Sequence, residues 1–188
     1  MTDEPTGCIY GCVHFALTDE LKAKARQEAE FVYPEEHDTP LSIDRKYLGA
    51  LGQNGVFVAV AKLHTTLQWQ APTYIPEVRN AIDFKHNNQW NDVKTSPMGD
   101  GWHYVIPNNY LLVSDKQKVK VLDNYVFVKI DEVNGWGHIA GVVPYTTMWQ
   151  SSNTMISPEL KSPCHYVRAR HTIPFADYIV GNIRTPRE

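Results

Sequence analysis

The sequence predicts a single α/β domain in which a mixed central β-sheet is flanked by helices. Three observations lead there. Helix-forming and apolar-periodic stretches crowd residues 18–64, and short strand-like segments broken by Pro, Asn and Gly fill 78–143. A length of 188 residues suits one sizeable core better than two. The remaining residues, 144–188, are expected to cover the sheet.

Taken in order, the string from Thr18 to Phe31 is rich in good helix formers. Thr18 stands where an N-cap belongs, and acidic residues occupy the first turn. Tyr33 to Pro40, dense in acid and proline, reads as loop. A second helix is expected from about Asp44 to His64. There Leu48, Leu51, Gly52, Gly55, Val56, Ala59, Val60 and Leu63 recur at helical spacing. Its glycines suggest either close packing or a break. Strands are expected near 78–85, 90–95, 102–106, 121–131 and 137–143. The run from Val121 to Ile130 is β-branched and aromatic enough for a central strand. Short helices are expected at 145–150 and near 175–180.

Composition narrows the functional classes. Hydrophobic residues make up 43% and charged residues 21%, ordinary for a globular protein. No apolar run approaches the ~18 residues of a membrane span. The opening Met1-Thr2-Asp3-Glu4-Pro5 lacks signal-peptide character, so a cytoplasmic location is expected. Three cysteines cannot all pair within one chain. Cys8, Cys12 and His14, with Cys164 and His165, leave a zinc module open, although Cys-x3-Cys-x-His is not a common zinc spacing. Net charge is −3, yet residues 1–44 hold ten acids against three bases, and 161–188 hold five bases against two acids. That polarity would let one basic face meet DNA; a solvated surface with chance clustering also accounts for it.

The chemistry concentrates in Asp83-Phe84-Lys85-His86-Asn87-Asn88-Gln89-Trp90-Asn91-Asp92-Val93-Lys94-Thr95. Asparagines tolerate the left-handed backbone of a two-residue hairpin turn, so Asn87-Asn88 should close one. His86 then faces Gln89, and continued pairing sets Asp83 opposite Asp92 on one face, ~5 Å apart at Cβ. Two carboxylates that close repel each other unless a divalent cation sits between them. Alternation places Lys94 on the face of Asp92 and turns Val93 inward. The Val93 carbonyl is a further candidate oxygen ligand. Hard oxygen donors point to Mg2+ or Mn2+. The alternative is an exposed hairpin whose acids are simply solvated, since Asp-x-Lys is short and occurs here twice.

This stretch resembles the core of the PD-(D/E)XK, or restriction-endonuclease-like, nucleases, in which an acid precedes a strand bearing D/E-x-K. The best register takes Asp83 as the first acid and Asp92-Val93-Lys94-Thr95 as the second motif. It is similar in particular to small nuclease-like proteins of phages and prokaryotes, through Asp123-Asn124-Tyr125-Val126-Phe127-Val128 and His138-Ile139-Ala140-Gly141. The resemblance spans roughly residues 45–145. It implies a restriction-endonuclease-like fold and a Mg2+- or Mn2+-dependent nuclease acting on DNA rather than RNA. Asp83, Asp92 and Lys94 would be catalytic, and no membrane would be involved. A homodimer is among the arrangements it allows.

One position departs from that pattern. In Gly49-Ala50-Leu51-Gly52-Gln53, Gln53 stands where the subgroup carries glutamate. As a metal ligand it brings no charge. The ion would then bind more loosely, or Glu28, Glu30, Glu35 or Glu77 would contribute, or catalysis has given way to binding alone. Lys116, Lys118 and Lys120 form a basic run suited to phosphate, as do Arg168 and Arg170 near His171; each is equally readable as solvated surface. His103 and Tyr104, and one of Trp69, Trp90, Trp102, Trp136 and Trp149, are weaker candidates for phosphate contact and base stacking.

Overall fold

Two apolar clusters sandwich one curled mixed sheet. The computed structural model describes residues 13–31, 40–63, 83–98, 110–115, 122–150, 153–156 and 163–181. A strand β1 (Val13–Ala16) leads into helices α1 (Asp19–Phe31) and α2 (Pro40–Lys62). There follow β2 (Phe84–His86), β3 (Gln89–Pro97), β4 (Tyr110–Ser114), β5 (Asn124–Asp131) and β6 (Trp136–Pro144). Helix α3 (Tyr145–Gln150), β7 (Thr154–Ile156), β8 (Pro163–Arg168), a 3-10 turn (Ala169–His171) and α4 (Phe175–Ile179) complete the order. Five strands form the main sheet in the order β1-β6-β5-β3-β2, and three form a second sheet, β4-β8-β7. Within the main sheet only β3 and β5 run parallel. A parallel pair needs a long crossover, and the intervening chain here passes through the second sheet by way of β4.

β5 is buried on both faces, as its unbroken apolar run requires. Val126, Val128 and Ile130 join Leu51, Val56, Val60, Phe175 and Ile179 on the helical side. Tyr125 and Phe127 join Leu111, Val113, Val143, Met148 and Val167 on the side of the second sheet. The result is a mixed α/β domain with helices α1, α2 and α4 on one side of the main sheet and the small sheet with α3 on the other. Among the described residues no helix is long and apolar enough to cross a membrane.

Local chemistry explains the boundaries. The Leu21 N–H donates to Thr18 Oγ1 at 3.2 Å, so Thr18 caps α1. Helix α2 begins at Pro40, four residues before the expected Asp44, because proline is at home in a first helical turn where its missing N–H costs nothing. The covering segment 144–188 is more than a cover: β7 and β8 within it build the second sheet with β4. Neither β1 nor β4 was expected, and the expected segments 78–82 and 102–106 lie outside the described residues.

The glycines of α2 are packing devices. A Cβ on Gly55 would collide with the ring of Phe15, and one on Gly52 would collide with Oγ1, Cγ2 and Cβ of Thr95. The helix therefore lies directly on β1 and β3. Because the Thr95 Cβ itself blocks the space, no side-chain rotation relieves the second clash. We expect Gly52→Ala to cost about 1–3 kcal/mol in chemical denaturation. It should also push α2, and Gln53 with it, away from β3.

Candidate active site

The hairpin forms as its asparagines dictate. Asn87 and Asn88 have φ of 47° and 63°, the left-handed pair of a type I′ turn. His86 pairs with Gln89, Lys85 with Trp90 and Phe84 with Asn91. Beyond Phe84 the chain leaves the regular ladder, where the Asp83 N–H donates to the Asn91 carbonyl at 2.8 Å. On β3 the amide of Val93 thus points at a place that no described β2 residue fills. The side chain of Asp83 fills it: the Val93 N–H donates to Asp83 Oδ2 at 2.5 Å. From the helical side Gln53 Nε2 donates to Asp83 Oδ1, also at 2.5 Å.

Asp92 and Lys94 project from β3 on the opposite face, the face of their β5 partners Tyr125 and Phe127. Lys94 Nζ lies 2.6 Å from Asp92 Oδ2. The carboxyl groups of Asp83 and Asp92 are within hydrogen-bonding reach of each other at the strand edge. Asp92 is 2% exposed, whereas Asp83 keeps a partial opening to solvent. Burial, and then the neighbouring Asp92 charge, pushes Asp83 well above the usual carboxylate range, against the pull of the Val93 N–H and Lys94. Burial raises Asp92 as well, with Lys94 opposing it most strongly. Burial thus outweighs the Lys94 ammonium at both acids, and Asp83, further from that ammonium's help and facing the Asp92 charge, is raised the more.

Supporting residues lock this geometry. Beneath the hairpin the Tyr178 hydroxyl of α4 donates to Asn91 Oδ1 at 2.8 Å, and Asn91 Nδ2 donates to the Gln89 carbonyl at 2.9 Å. His86 Nε2 lies 3.1 Å from the Ile179 carbonyl. Burial pushes the Tyr178 hydroxyl up to about 12, so it stays a donor throughout the ordinary pH range. On the other face the Tyr125 hydroxyl, raised by burial and by the charge of Asp92, accepts from Trp149 Nε1 at 3.2 Å. Tyr178 carried no sequence signal as a partner of the hairpin; it and Asn91 are 87 residues apart in the chain.

Other expected candidates fall elsewhere. Lys116, Lys118, Lys120, His103, Tyr104, Trp69, Trp102, Glu35, Glu77, Cys8 and Cys12 lie outside the described residues. Arg168 ends β8 of the second sheet and Arg170 sits in the 3-10 turn that follows it, so neither is on β3. Glu28 accepts from Asn54 Nδ2 at 2.7 Å, which commits it to the α1–α2 contact. Glu30 lines a cleft with Asp44, Tyr47 and Glu132 near Pro97, at the other end of β3. His14 Nδ1 meets His138 Nδ1 at 2.8 Å, and Cys164 is a buried free thiol. Trp90 has Lys85 Nζ 4.8 Å from its ring centroid.

As a cation site the hairpin offers two carboxylates, the Gln53 amide and the Val93 carbonyl, which shares the strand edge with its N–H. Among the described residues no group of three or more His, Cys, Asp or Glu gathers. A Mg2+-like ion fits such a donor set, since it takes one or two carboxylates and completes its shell with water. The Gln53 amide donates as placed; turned by 180° it offers its oxygen. No family model, curated protein or solved structure matches the chain.

Proposed function

We propose that the chain is a metal-dependent nuclease of the restriction-endonuclease-like, PD-(D/E)XK type, an endonuclease hydrolysing phosphodiester bonds of DNA in a phage or prokaryotic cytoplasm. The observation that carries this reading is the convergence of Asp83 and Asp92 at one strand edge, with Lys94 ion-paired to Asp92 at 2.6 Å. Two buried carboxylates side by side pay for desolvation and for mutual repulsion, so the arrangement makes sense as a site for a positive ion.

Asp83 and Asp92 would hold Mg2+ or Mn2+, with Gln53 and the Val93 carbonyl as neutral ligands. When bound, the ion supplies Lewis-acid polarisation of a phosphoryl oxygen and a more acidic water. Lys94, held by Asp92 yet 18% exposed, places its ammonium where it orients the attacking water and offsets charge on the transition-state oxygens. Water forms the new P–O bond as the bond to the sugar oxygen breaks; the proton the attacking water sheds passes to solvent, and the leaving alkoxide takes one up from solvent. Plasmid and oligonucleotide cleavage with Mg2+ or Mn2+ tests the reading; no cleavage of either substrate with either ion would remove it.

A second reading has its own support. Gln53 satisfies Asp83 through an N–H, so the acid pair is held by the protein alone. On that reading the chain is a catalytically silent nucleic-acid- or protein-binding relative. Calorimetric titration with Mn2+ separates the two, because a silent site takes up no ion and is indifferent to Asp83→Asn.

A further inference from the structure

Across the second cluster from the acid pair lies a pocket of about 330 Å3, lined among the described residues by Thr147, Gln150, Asn153, Val167, Arg168 and His171. Its chemistry is one-sided. Thr147 and Gln150 are three residues apart on α3 and share its outward face, while Met148 between them is buried. Asn153 precedes β7, and β8 contributes Arg168 with Val167 as the apolar floor. The Arg170 Nε–H donates to His171 Nε2 at 3.0 Å, which leaves the imidazole proton on Nδ1 and makes His171 a donor too. These described lining residues thus offer a hydroxyl, two amides, an imidazole N–H and a guanidinium, and no carboxylate. In a chain of net charge −3 that selection is informative. The volume sits near the lower end of the ~300–1,000 Å3 span of small-ligand sites, enough for a phosphate with its flanking sugar.

The geometry points to a subsite for a non-scissile backbone phosphate of a nucleic acid, with Arg168 as its charged anchor. This rests on the nuclease reading. α3 links the two places: its Tyr145 stacks on Tyr125 at 6.2 Å between ring centroids, and Tyr125 is the β5 register partner of Asp92. A strand held at the outer face of α3 would be fixed relative to the acid pair through a packed aromatic contact. Guanidinium suits the role because its fork matches two phosphate oxygens at once.

The test is fluorescence anisotropy of a labelled DNA oligonucleotide, single-stranded and duplex, on the full chain with Ca2+ replacing Mg2+, across a salt series. Arg168→Ala should weaken binding about 5- to 10-fold and lower the slope of log Kd against log salt by about one. Arg168→Lys should restore the slope and only part of the affinity. Gln150→Glu, a change at an exposed helix end, should weaken binding through repulsion alone. Inorganic phosphate at constant ionic strength should compete with the oligonucleotide on the unaltered chain and lose that effect on Arg168→Ala. Unchanged Kd and slope in Arg168→Ala and Gln150→Glu, or no oligonucleotide binding by the unaltered chain, overturns the subsite. Failure of the nuclease reading looks different: the Arg168 effect persists while no variant, and not the parent, cuts.

Discussion

Asp92→Ala and Lys94→Ala should each lower phosphodiester cleavage by on the order of 10²–10³-fold, with the loss in kcat and not in substrate affinity. Asp92 anchors both halves of the arrangement: it faces Asp83, and it holds the Lys94 ammonium at 2.6 Å. Removing it leaves a half-buried lysine without its partner, so part of the loss would be one of stability. Asp92→Asn and Lys94→Gln keep the volume and isolate the charge. Circular dichroism on each variant separates unfolding from chemistry. Folded Asp92→Asn or Lys94→Gln protein cutting at the parent rate would take these residues out of the reaction.

Without divalent ions the contribution of Asp83 to stability should fall as pH rises, the reverse of the usual behaviour of a buried ion-paired aspartate. Asp83 is raised in the folded chain above its unfolded value of ~3.9. Its contribution is therefore fully present below that unfolded value and lost as pH climbs through the folded one. Asp83→Asn, which carries a permanent hydrogen-bonding amide in place of the acid, should flatten this component of the curve of Tm against pH. Mn2+ should restore the loss, adding about 2.7 kcal/mol at 100 times its Kd, and should bind more tightly as pH rises and protons cease to compete. Parallel Tm curves for the parent and Asp83→Asn in chelator would show that the acids do not conflict. Gln53→Glu should shift half-saturation by Mn2+ to lower concentration, since it adds a charged oxygen where the amide now donates to Asp83.

What the sequence revealed depended on how local the cause was. The turn was legible because two adjacent asparagines have few other uses, and its register followed from counting outward. β5 was legible from its β-branched run. The meaning of Gly52 and Gly55 was half legible: close packing was one of two readings, but Thr95 and Phe15, the residues they accommodate, come from distant strands. Four-residue β1 and the strands of the second sheet were not legible, because pieces that short acquire their conformation from partners across the fold. The pairing expected to bring Asp83 directly opposite Asp92 was close, but the ladder ends at Phe84. Asp83 instead reaches the site by replacing a missing strand partner for Val93.

That the two aspartates are separated by a single tight reversal also shapes the denatured chain. Residues so near along the backbone stay near when the fold is lost, so some of their mutual repulsion persists in the coil and never counts toward unfolding. Gln53, thirty residues earlier in sequence than Asp83, has no such memory. Its hydrogen bond to Asp83 therefore exists only while α2 is docked on the sheet, and separates the folded corner from a charged bend.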